Sequence, residues 1–257
     1  MQETTDQIPG GSFQWARLAL WSSVVFLGLA GFAGSLIVYM PARFAVQQAG
    51  FAFAADRVSG SIWDGTAQFD GGHTVTWETS GWESLRRMSA VVNWRLTGPG
   101  TDLTGRVALP LPLRADRADL DAVQGILSWP LIEAALPGLP IRCDARATIT
   151  GLRLALTPGA RRAEGAVTAP AGTCARLDGA LPPVATPALA ASLSTDVEGL
   201  MAVLTAQSQP QTPLATARLT NDDRVILTIH AAGAVMVPGM PSSADSEIEV
   251  PLSALFP

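Results

Sequence analysis

The sequence predicts a mainly β protein in which a single N-terminal transmembrane helix precedes a β-rich domain of antiparallel strands, arranged as a curved sheet or an open barrel-like layer. Three observations support this prediction. An uncharged run of 23 residues extends from Leu18 to Met40. Beyond it, apolar residues recur mostly with a period of two, which is typical of strands. The 24 glycines and 19 prolines are spread between these runs, which indicates short strands with tight connections.

The uncharged run has the length and the flanks of a membrane anchor. A helix of this length is about 34 Å long, which is enough to cross a hydrocarbon core of about 30 Å. Trp21 lies near one end and Tyr39 near the other, where interfacial aromatic side chains are enriched. A cleaved signal peptide is the competing interpretation, but its apolar core is usually only about 7–15 residues long and follows a basic start. We therefore predict a short cytoplasmic tail (1–17), a transmembrane anchor helix (18–40) and a β-rich domain (41–257).

The flanking charges and the cysteines indicate on which side of the membrane the domain lies. Arg17 before the anchor and Arg43 and Arg57 after it weakly oppose a cytoplasmic N-terminus, although long downstream domains often translocate regardless of so small a bias. Cys143 and Cys174 are the only cysteines, and their spacing fits no metal or redox motif. A disulfide in an oxidising compartment is one interpretation, and two free buried thiols are the other. If formed, the disulfide would contribute roughly 3–4 kcal/mol in the chain-entropy model.

Strand patterns follow one another along the domain. In ARATITGLRLALT, residues 145, 147 and 149 set one phase of alternation and residues 152, 154 and 156 set the other, so a β-bulge is predicted at Gly151. The clearest hairpin has Asn221–Asp223 as its turn. The predicted strands are HTVTWET, SAVVNWRLTG, TDLTGRVALPL, ARATITGLRLALT, the two arms of LATARLTNDDRVILTIHAAG, and SEIEVPL.

Helical signals are few in this domain. SWPLIEAALPG starts with Pro130 and stops at Pro137–Gly138, which predicts two helical turns. TDVEGLMAVLTAQS, Thr195 to Ser208, predicts a second helix with Thr195 as its N-cap. The Pro-rich stretch LDGALPPVATPALA, near residue 185, is a candidate linker. Because no long polar spacer accompanies it, we favour one continuous β domain.

Composition excludes several functions. All 17 basic residues are arginine, and the absence of lysine removes P-loop phosphate binding, Schiff-base chemistry and Ser–Lys nucleophile pairs. The net charge of −5, with no basic cluster, excludes sequence-independent nucleic-acid binding. His73 and His230 are the only histidines, and each is expected to be a structural residue of a strand or turn rather than a metal ligand. The acids Asp116, Asp119 and Asp121 lie in a run mixed with arginine and are expected on a solvated strand face.

The common catalytic motifs are also missing. G-x-S-x-G, H-E-x-x-H and G-x-G-x-x-G are all missing from the sequence. We therefore predict a non-enzymatic protein with no catalytic, cofactor or metal site. The tryptophans that remain, Trp63, Trp77, Trp82, Trp94 and Trp129, either fill one face of a sheet or form a ligand platform.

The stretch VSGSIWDGTAQF places a tryptophan between two glycines and is followed by tryptophan-bearing strands. Together with the anchor, this order of features resembles the type II secretion system protein N family of Gram-negative inner membranes, which carries a V-x-G-T/S-L/I-W-x-G-x-A stretch soon after its anchor. The resemblance is best from about residue 15 to 155. The matching positions are Val58, Gly60, Ser61, Ile62, Trp63, Gly65, Ala67, Trp77 and Trp94.

The resemblance implies a single-pass inner-membrane protein whose bulk lies in the periplasm. It implies an accessory role in secretion, exerted through contacts with other inner-membrane components of the secretion machine. Within the stretch, Gly60 and Gly65 are expected to permit tight turns or bulges, and Trp63 to pack against the strands of Trp77 and Trp94. A similar stretch occurs in AsmA-like proteins, which implies the alternative of a β-rich module that binds or transfers lipid.

Overall fold

The computed structural model describes residues 25–29, 31–32, 34–35, 39–43, 55–110, 118–135, 141–155, 161–179, 182–237 and 243–251. The predicted tail 1–17 and most of the predicted anchor lie outside these residues. The described residues between 25 and 35 are helical, and Val25, Phe26, Leu27, Leu29 and Phe32 have exposed side chains. Among the residues described, no helix has the length and apolar character needed to span a membrane.

Strands dominate the described part of the domain, as predicted. Its helices are α1 (Gly81–Arg87), α2 (Trp129–Ala135) and α3 (Ala231–Ala234), and a 3-10 turn covers Asp70–Gly72. The strands are β1 (Arg57–Gly60), β2 (Asp64–Phe69), β3 (His73–Thr79), β4 (Ser89–Gly98), β5 (Thr101–Pro110), β6 (Asp119–Leu127), β7 (Ile141–Cys143), β8 (Ala147–Ala155), β9 (Arg162–Ala169), β10 (Gly172–Arg176), β11 (Val184–Thr186), β12 (Leu189–Thr195), β13 (Gly199–Ala206), β14 (Gln209–Thr220), β15 (Arg224–Ile229) and β16 (Ser246–Pro251).

Thirteen of these strands form one antiparallel sheet. Their order is β1-β2-β3-β4-β5-β6-β8-β9-β12-β13-β14-β15-β16, so each strand pairs with the next large-sheet strand along the chain. The sheet is not closed, since β1 and β16 lie at its two ends. A small sheet with the order β11-β10-β7 is built from the strands that the large sheet omits. The Pro-rich stretch near residue 185 does not interrupt the large sheet, because β12 pairs directly with β9.

The large sheet has one apolar and one polar face, because successive side chains of a strand point to opposite sides. Directly paired residues show the division. The apolar face includes the pairs Trp77–Trp94, Leu96–Leu103, Ala191–Leu204 and Ala217–Leu227, and the polar face includes Thr66–Thr76, Arg95–Thr104 and Thr216–Thr228. Buried Leu103, Val123 and Ile149 form the core cluster on the apolar face. Towards β16, most apolar side chains on this face are only half-buried.

Several sequence predictions about single elements are confirmed. Gly151 has a φ of +60°, and the register of β8 against β9 shifts between Thr150 and Arg153, as the phase slip indicated. The hairpin turn at Asn221–Asp223 connects β14 and β15. SEIEVPL contains β16, and SWPLIEAALPG contains α2.

The predicted helix Thr195–Ser208 is wrong, because this stretch forms the turn before β13 and then β13 itself. The Asp196 carboxylate accepts hydrogen bonds from the backbone N–H groups of Glu198 and Gly199, which closes an Asx turn. Thr195 does not cap a helix, and its hydroxyl instead bonds the backbone of Ala163 in β9. Apolar residues on both phases of GLMAVLTA fit a helix as well as a strand, and pairing with β12 and β14 decides the outcome.

Candidate functional site

The glycine- and tryptophan-containing stretch folds as the hairpin of β1 and β2. Gly60 and Gly65 are paired across it, and the side chain of Ser61 closes its turn. The Ser61 hydroxyl oxygen accepts hydrogen bonds from the backbone N–H groups of Trp63 (3.1 Å) and Asp64 (3.3 Å) and donates to the Asp64 carboxylate (3.1 Å). A small hydroxyl residue at this position therefore satisfies backbone groups that the turn leaves without ladder partners.

Strand β3 holds this turn from the other side. The indole N–H of Trp77 donates to the carbonyl of Ser61 (3.2 Å), and the Thr79 hydroxyl donates to the carbonyl of Ile62 (2.6 Å). The backbone N–H of Ile62 donates to the carbonyl of Met40 (3.2 Å). The turn thus connects the sheet to the end of the apolar N-terminal segment.

Two glycines of the sheet make room for indole rings on the apolar face. A Cβ atom on Gly65 would lie 2.2 Å from Cζ2 of Trp77, and one on Gly105 would lie 2.7 Å from Cζ2 of Trp94. Trp77 and Trp94 are themselves paired across β3 and β4. We call Gly65, Trp77, Trp94 and Gly105 the Gly–Trp row. The ring of Trp77 in β3 lies over Gly65 in β2, and the ring of Trp94 in β4 lies over Gly105 in β5. Glycine is required at both positions because the ring comes so close.

Gly60 needs glycine for a different reason. Its φ is +93°, and a Cβ atom would lie 2.4 Å from the carbonyl oxygen of Asp64. Only glycine adopts this conformation without a steric penalty. Both glycines of the stretch are therefore explained by local geometry, the first by backbone conformation and the second by the ring of Trp77.

The other residues of the stretch are divided between the sheet and its rim. Val58 is paired with the buried Ala67 on the face that carries the Gly–Trp row. Trp63 is half-buried in the turn, and its ring lies next to Gly81 at the start of α1, 3.8 Å from the position of a Cβ atom there. The structure therefore brings Trp77 and Trp94 together and places Trp63 at the junction with α1.

Trp82 departs from the expectation that the tryptophans fill a sheet face. It lies on α1, which the sequence reasoning did not predict, and it is 75% exposed. Leu85 and Met88 beside it are 73% and 80% exposed. The signal in the sequence was the run GWESLRRM, in which apolar residues recur every three positions between two strand patterns.

An open groove of about 920 Å³ lies along β2–β6, and its lining includes the polar side chains Thr66, Thr76, Arg95 and Thr104. Both arginines of the groove have side-chain partners. The Arg95 guanidinium makes two hydrogen bonds to the Asp102 carboxylate (2.9 and 2.7 Å), and Arg106 donates to the Asn93 side-chain oxygen (3.1 Å). The hydrogen bonds from Arg95 lower the pKa of Asp102. The predicted solvated face is seen at Asp119, which is exposed, and at Asp121, which pairs with Arg153, whereas Asp116 lies outside the described residues.

The two histidines occupy different environments. His73 begins β3 and is 3% exposed, and its Nε2 atom has no hydrogen-bond partner among the described residues. His230 follows β15, and its Nδ1 atom lies 2.9 Å from the Asp245 carboxylate, while its Nε2 atom lies 3.5 Å from the Thr216 hydroxyl. The latter distance is longer than the 2.6–3.2 Å at which a general base typically acts. No group of three metal-ligating side chains occurs in the described ranges.

The disulfide between Cys143 and Cys174 is present and joins β7 to β10 in the small sheet. One guanidinium nitrogen of Arg142 in β7, Nη2, donates hydrogen bonds to both carboxylate oxygens of Glu133 in α2 (2.9 and 3.0 Å). A cavity of about 590 Å³ lies where α2, β7 and the β4–β5 turn meet. The disulfide therefore fastens the small sheet at the place where α2 contacts it.

Comparison with protein-family models identifies a family. The family model described as "Type II secretion system (T2SS), protein N" matches residues 53–240. No curated protein and no solved structure matches the chain. The matched range includes the β1–β2 hairpin, the Gly–Trp row, the disulfide and every strand up to β15. Because it covers well over half of the sequence, the chain belongs to the type II secretion system protein N family.

Proposed function

We propose that this protein is a non-enzymatic accessory component of the type II secretion system, anchored in the inner membrane by residues 18–40 with residues 41–257 in the periplasm. The family match over residues 53–240 carries the proposal, because the family implies an accessory role in secretion. The absence of lysine from the sequence supports an accessory rather than a motor role, since a P-loop motor needs a lysine at its phosphates.

The disulfide supports the periplasmic position of the domain. Disulfides form and persist in oxidising compartments such as the bacterial periplasm, and they are rare in the cytosol. Cys143 and Cys174 lie in directly paired strands, so a disulfide joins elements that are already neighbours. The apolar run before the domain then supplies the anchor that keeps it at the membrane.

Strand addition is the mode of contact that the fold favours. An edge strand presents unpaired backbone N–H and C=O groups, which an extended segment of a partner can pair with. Strand β16 has no outer partner among the described residues, and its Ile248 is 46% exposed. At the opposite end, Pro41 forms a bridge with Ser61 beside β1. We therefore assign the contact with another secretion component to β16.

Recovery of partners from the native host tests this function. A tagged full-length chain should recover at least one other inner-membrane component of the secretion system after mild crosslinking. Ile248→Lys should abolish this recovery, because a charge at an edge opposes strand addition. Val197→Lys is the matched control, since Val197 is 95% exposed in the β12–β13 turn and lies away from the edge. Recovery of no secretion component by the unmodified chain would contradict the proposal.

Lipid binding is the second candidate function, and the half-exposed apolar face of the sheet favours it. From β12 to β16 this face carries mainly alanine, leucine and valine side chains, of which Leu200 and Ala206 are buried and most others are half-buried. A contiguous, half-exposed apolar face is a candidate binding surface, and acyl chains would cover it. Native mass spectrometry of the gently solubilised protein distinguishes the two functions. Phospholipid that remains bound supports lipid handling, and a lipid-free protein excludes it.

A further inference from the structure

The short helix α1 has its apolar side towards solvent, which is the reverse of an ordinary surface helix. At 100° per residue, Trp82, Leu85 and Arg86 share an arc of about 100°. Trp82 and Leu85 are 75% and 73% exposed, and Met88, which ends the helix in a left-handed conformation, is 80% exposed. We call Trp82, Leu85, Arg86, Arg87 and Met88 the α1 patch.

The side of α1 that faces the sheet is polar. The Ser84 hydroxyl accepts a hydrogen bond from the backbone N–H of Val91 in β4 (2.9 Å), and Glu83 lies 3.6 Å from the guanidinium of Arg106 in β5. Beneath the helix, Val91 is fully buried. The helix is thus attached by polar contacts, and its orientation is fixed with the tryptophan pointing away from the protein. The folded domain gains little burial from the outward side chains, so their apolar character needs another explanation.

The α1 patch lies beside the end of the apolar N-terminal segment. The helix starts at Gly81, next to the ring of Trp63 in the β1–β2 turn. That same turn pairs with residues 40–41 through the Pro41–Ser61 bridge and the hydrogen bond from Ile62 to Met40. Because a seven-residue helix is only about 10 Å long, the whole patch lies close to the point where the predicted anchor ends. The interfacial layer of a bilayer is roughly 5–8 Å thick on each side, which is within reach.

We propose that the α1 patch inserts into the headgroup layer of the membrane that holds the anchor, and that it contacts anionic lipid. The proposal rests on the proposed membrane anchor. Exposed tryptophan, leucine and methionine beside two arginines is the composition of interfacial segments, in which rings and aliphatic chains enter the headgroup–acyl boundary and basic groups pair with anionic headgroups. The arginines matter because the chain carries a net charge of −5 and would otherwise be repelled by an anionic surface. Contact at α1 fixes the large sheet at a defined angle to the bilayer.

Spin labels at two exposed positions test this contact in the full-length chain. Both native cysteines are in the disulfide, so the thiol of Leu85→Cys or of Val197→Cys accepts the label selectively. Each protein is reconstituted in vesicles of phosphatidylethanolamine and phosphatidylglycerol. We expect the label at position 85 to be accessible to oxygen and shielded from a water-soluble nickel complex, and the label at position 197 to be accessible to nickel. In phosphatidylcholine alone, the membrane-contacting population at position 85 should fall by about fivefold for each arginine that loses an anionic partner.

Two results would overturn the inference. A label at position 85 as accessible to nickel as the one at 197 would place α1 in water. A label at 85 shielded from both reagents would show that a protein surface covers the patch. Extraction of the unlabelled protein by alkaline carbonate would instead contradict the proposed anchor, while the label at 85 would still report whether α1 touches the vesicles. Circular dichroism of both labelled proteins verifies that the fold is retained.

Discussion

In β1–β6, the apolar face of the large sheet carries indole rings that lie over glycines, whereas in β12–β16 it carries alanine, leucine and valine. Trp94 of the Gly–Trp row packs against the core cluster of Leu103, Val123 and Ile149. By contrast, the sequence has no phenylalanine, tyrosine or tryptophan from residue 161 to 251. The same ladder of antiparallel strands is therefore stabilised at one end by a few large side chains and at the other by many small ones.

The polar face of the alanine-rich half carries several ion pairs. Towards β16, ion pairs join strands and turns: Arg218 of β14 pairs with Asp196 (3.2 Å) and Glu198 of a turn, Arg161 before β9 pairs with Asp223 of the β14–β15 turn, and Arg224 of β15 pairs with Glu249 of β16. Exposed ion pairs are worth only about 0–1 kcal/mol each, so stability in this half is distributed over many weak contacts. Single substitutions should therefore be costly near the Gly–Trp row and mild near β16.

Trp94→Ala should have the largest effect. Loss of a tryptophan that packs on the core cluster is expected to lower the free energy of unfolding by about 3–5 kcal/mol. Leu219→Ala, on the apolar face of β14, should cost about 1–2 kcal/mol because Leu219 is only half-buried. Denaturant unfolding of the detergent-solubilised full-length protein, followed by circular dichroism, measures both. Trp82→Ala is the control and should change stability by less than about 0.5 kcal/mol, and equal losses for Trp94 and Leu219 would contradict the comparison.

Removal of the disulfide should have the second-largest effect on the free energy of unfolding. The loop between Cys143 and Cys174 spans 31 positions, so Cys143→Ser with Cys174→Ser should cost roughly 3–4 kcal/mol through the greater entropy of the unfolded chain. The disulfide lies in the small sheet, between the aromatic and the alanine-rich halves of the sequence. Mass mapping of protein from the native host, without reduction, should yield one linked peptide. Two thiols that react with an alkylating reagent would show that the bridge is not formed in the cell.

Trp63→Ala should have an intermediate effect of about 2 kcal/mol, because this ring is half-buried between the turn and α1. The expected result is a lower melting temperature, with partner recovery reduced only in proportion to the folded protein. Both quantities are measured on the same preparation. A variant as stable as the unmodified protein that no longer binds its partner would identify Trp63 as a contact residue.

Much of the sheet was predictable because strand alternation and turn chemistry agree locally. The bulge at Gly151 and the hairpin at Asn221–Asp223 followed from phase and turn residues alone. The helix predicted at Thr195–Ser208 was wrong because its apolar residues fit both periods, and neighbouring strands determined the result. Propensity is a weak prior wherever two strands already flank a segment.

The residues of the candidate site could be predicted from the sequence, but the contacts among them could not. The stretch around Trp63 was recognisable, but the sequence does not show that Trp77, 14 residues later, lies over Gly65. This contact depends on the register of β2 against β3, which is set by the conformation of the three-residue turn Asp70–Gly72 between the two strands. Helix α1 was missed because seven residues between two strands give too few periods to separate a helix from a loop.

Asp245→Asn should have the smallest effect, and it should depend on pH. Hydrogen bonds from His230 and from the backbone N–H of Ala231 lower the pKa of Asp245. A carboxyl group whose pKa is lower in the folded than in the unfolded state contributes stability above its unfolded pKa of about 3.9, and this contribution is lost as the pH falls through the folded value. The unmodified protein should therefore melt slightly higher than Asp245→Asn at pH 5, and the difference should shrink as the pH falls below about 4.

The position of Asp245 makes this small effect informative about the alanine-rich half. Asp245 immediately precedes β16, and its carboxylate joins that edge strand to the end of β15 and the start of α3. If this half depends on many weak polar contacts, loss of one should loosen β16 without unfolding the sheet, and hydrogen exchange should rise in β16 more than in β4. Glu247→Gln is the matched control, because Glu247 is an exposed carboxylate on β16 itself. Equal exchange in β16 for both variants would show that the edge is held by its ladder to β15 alone.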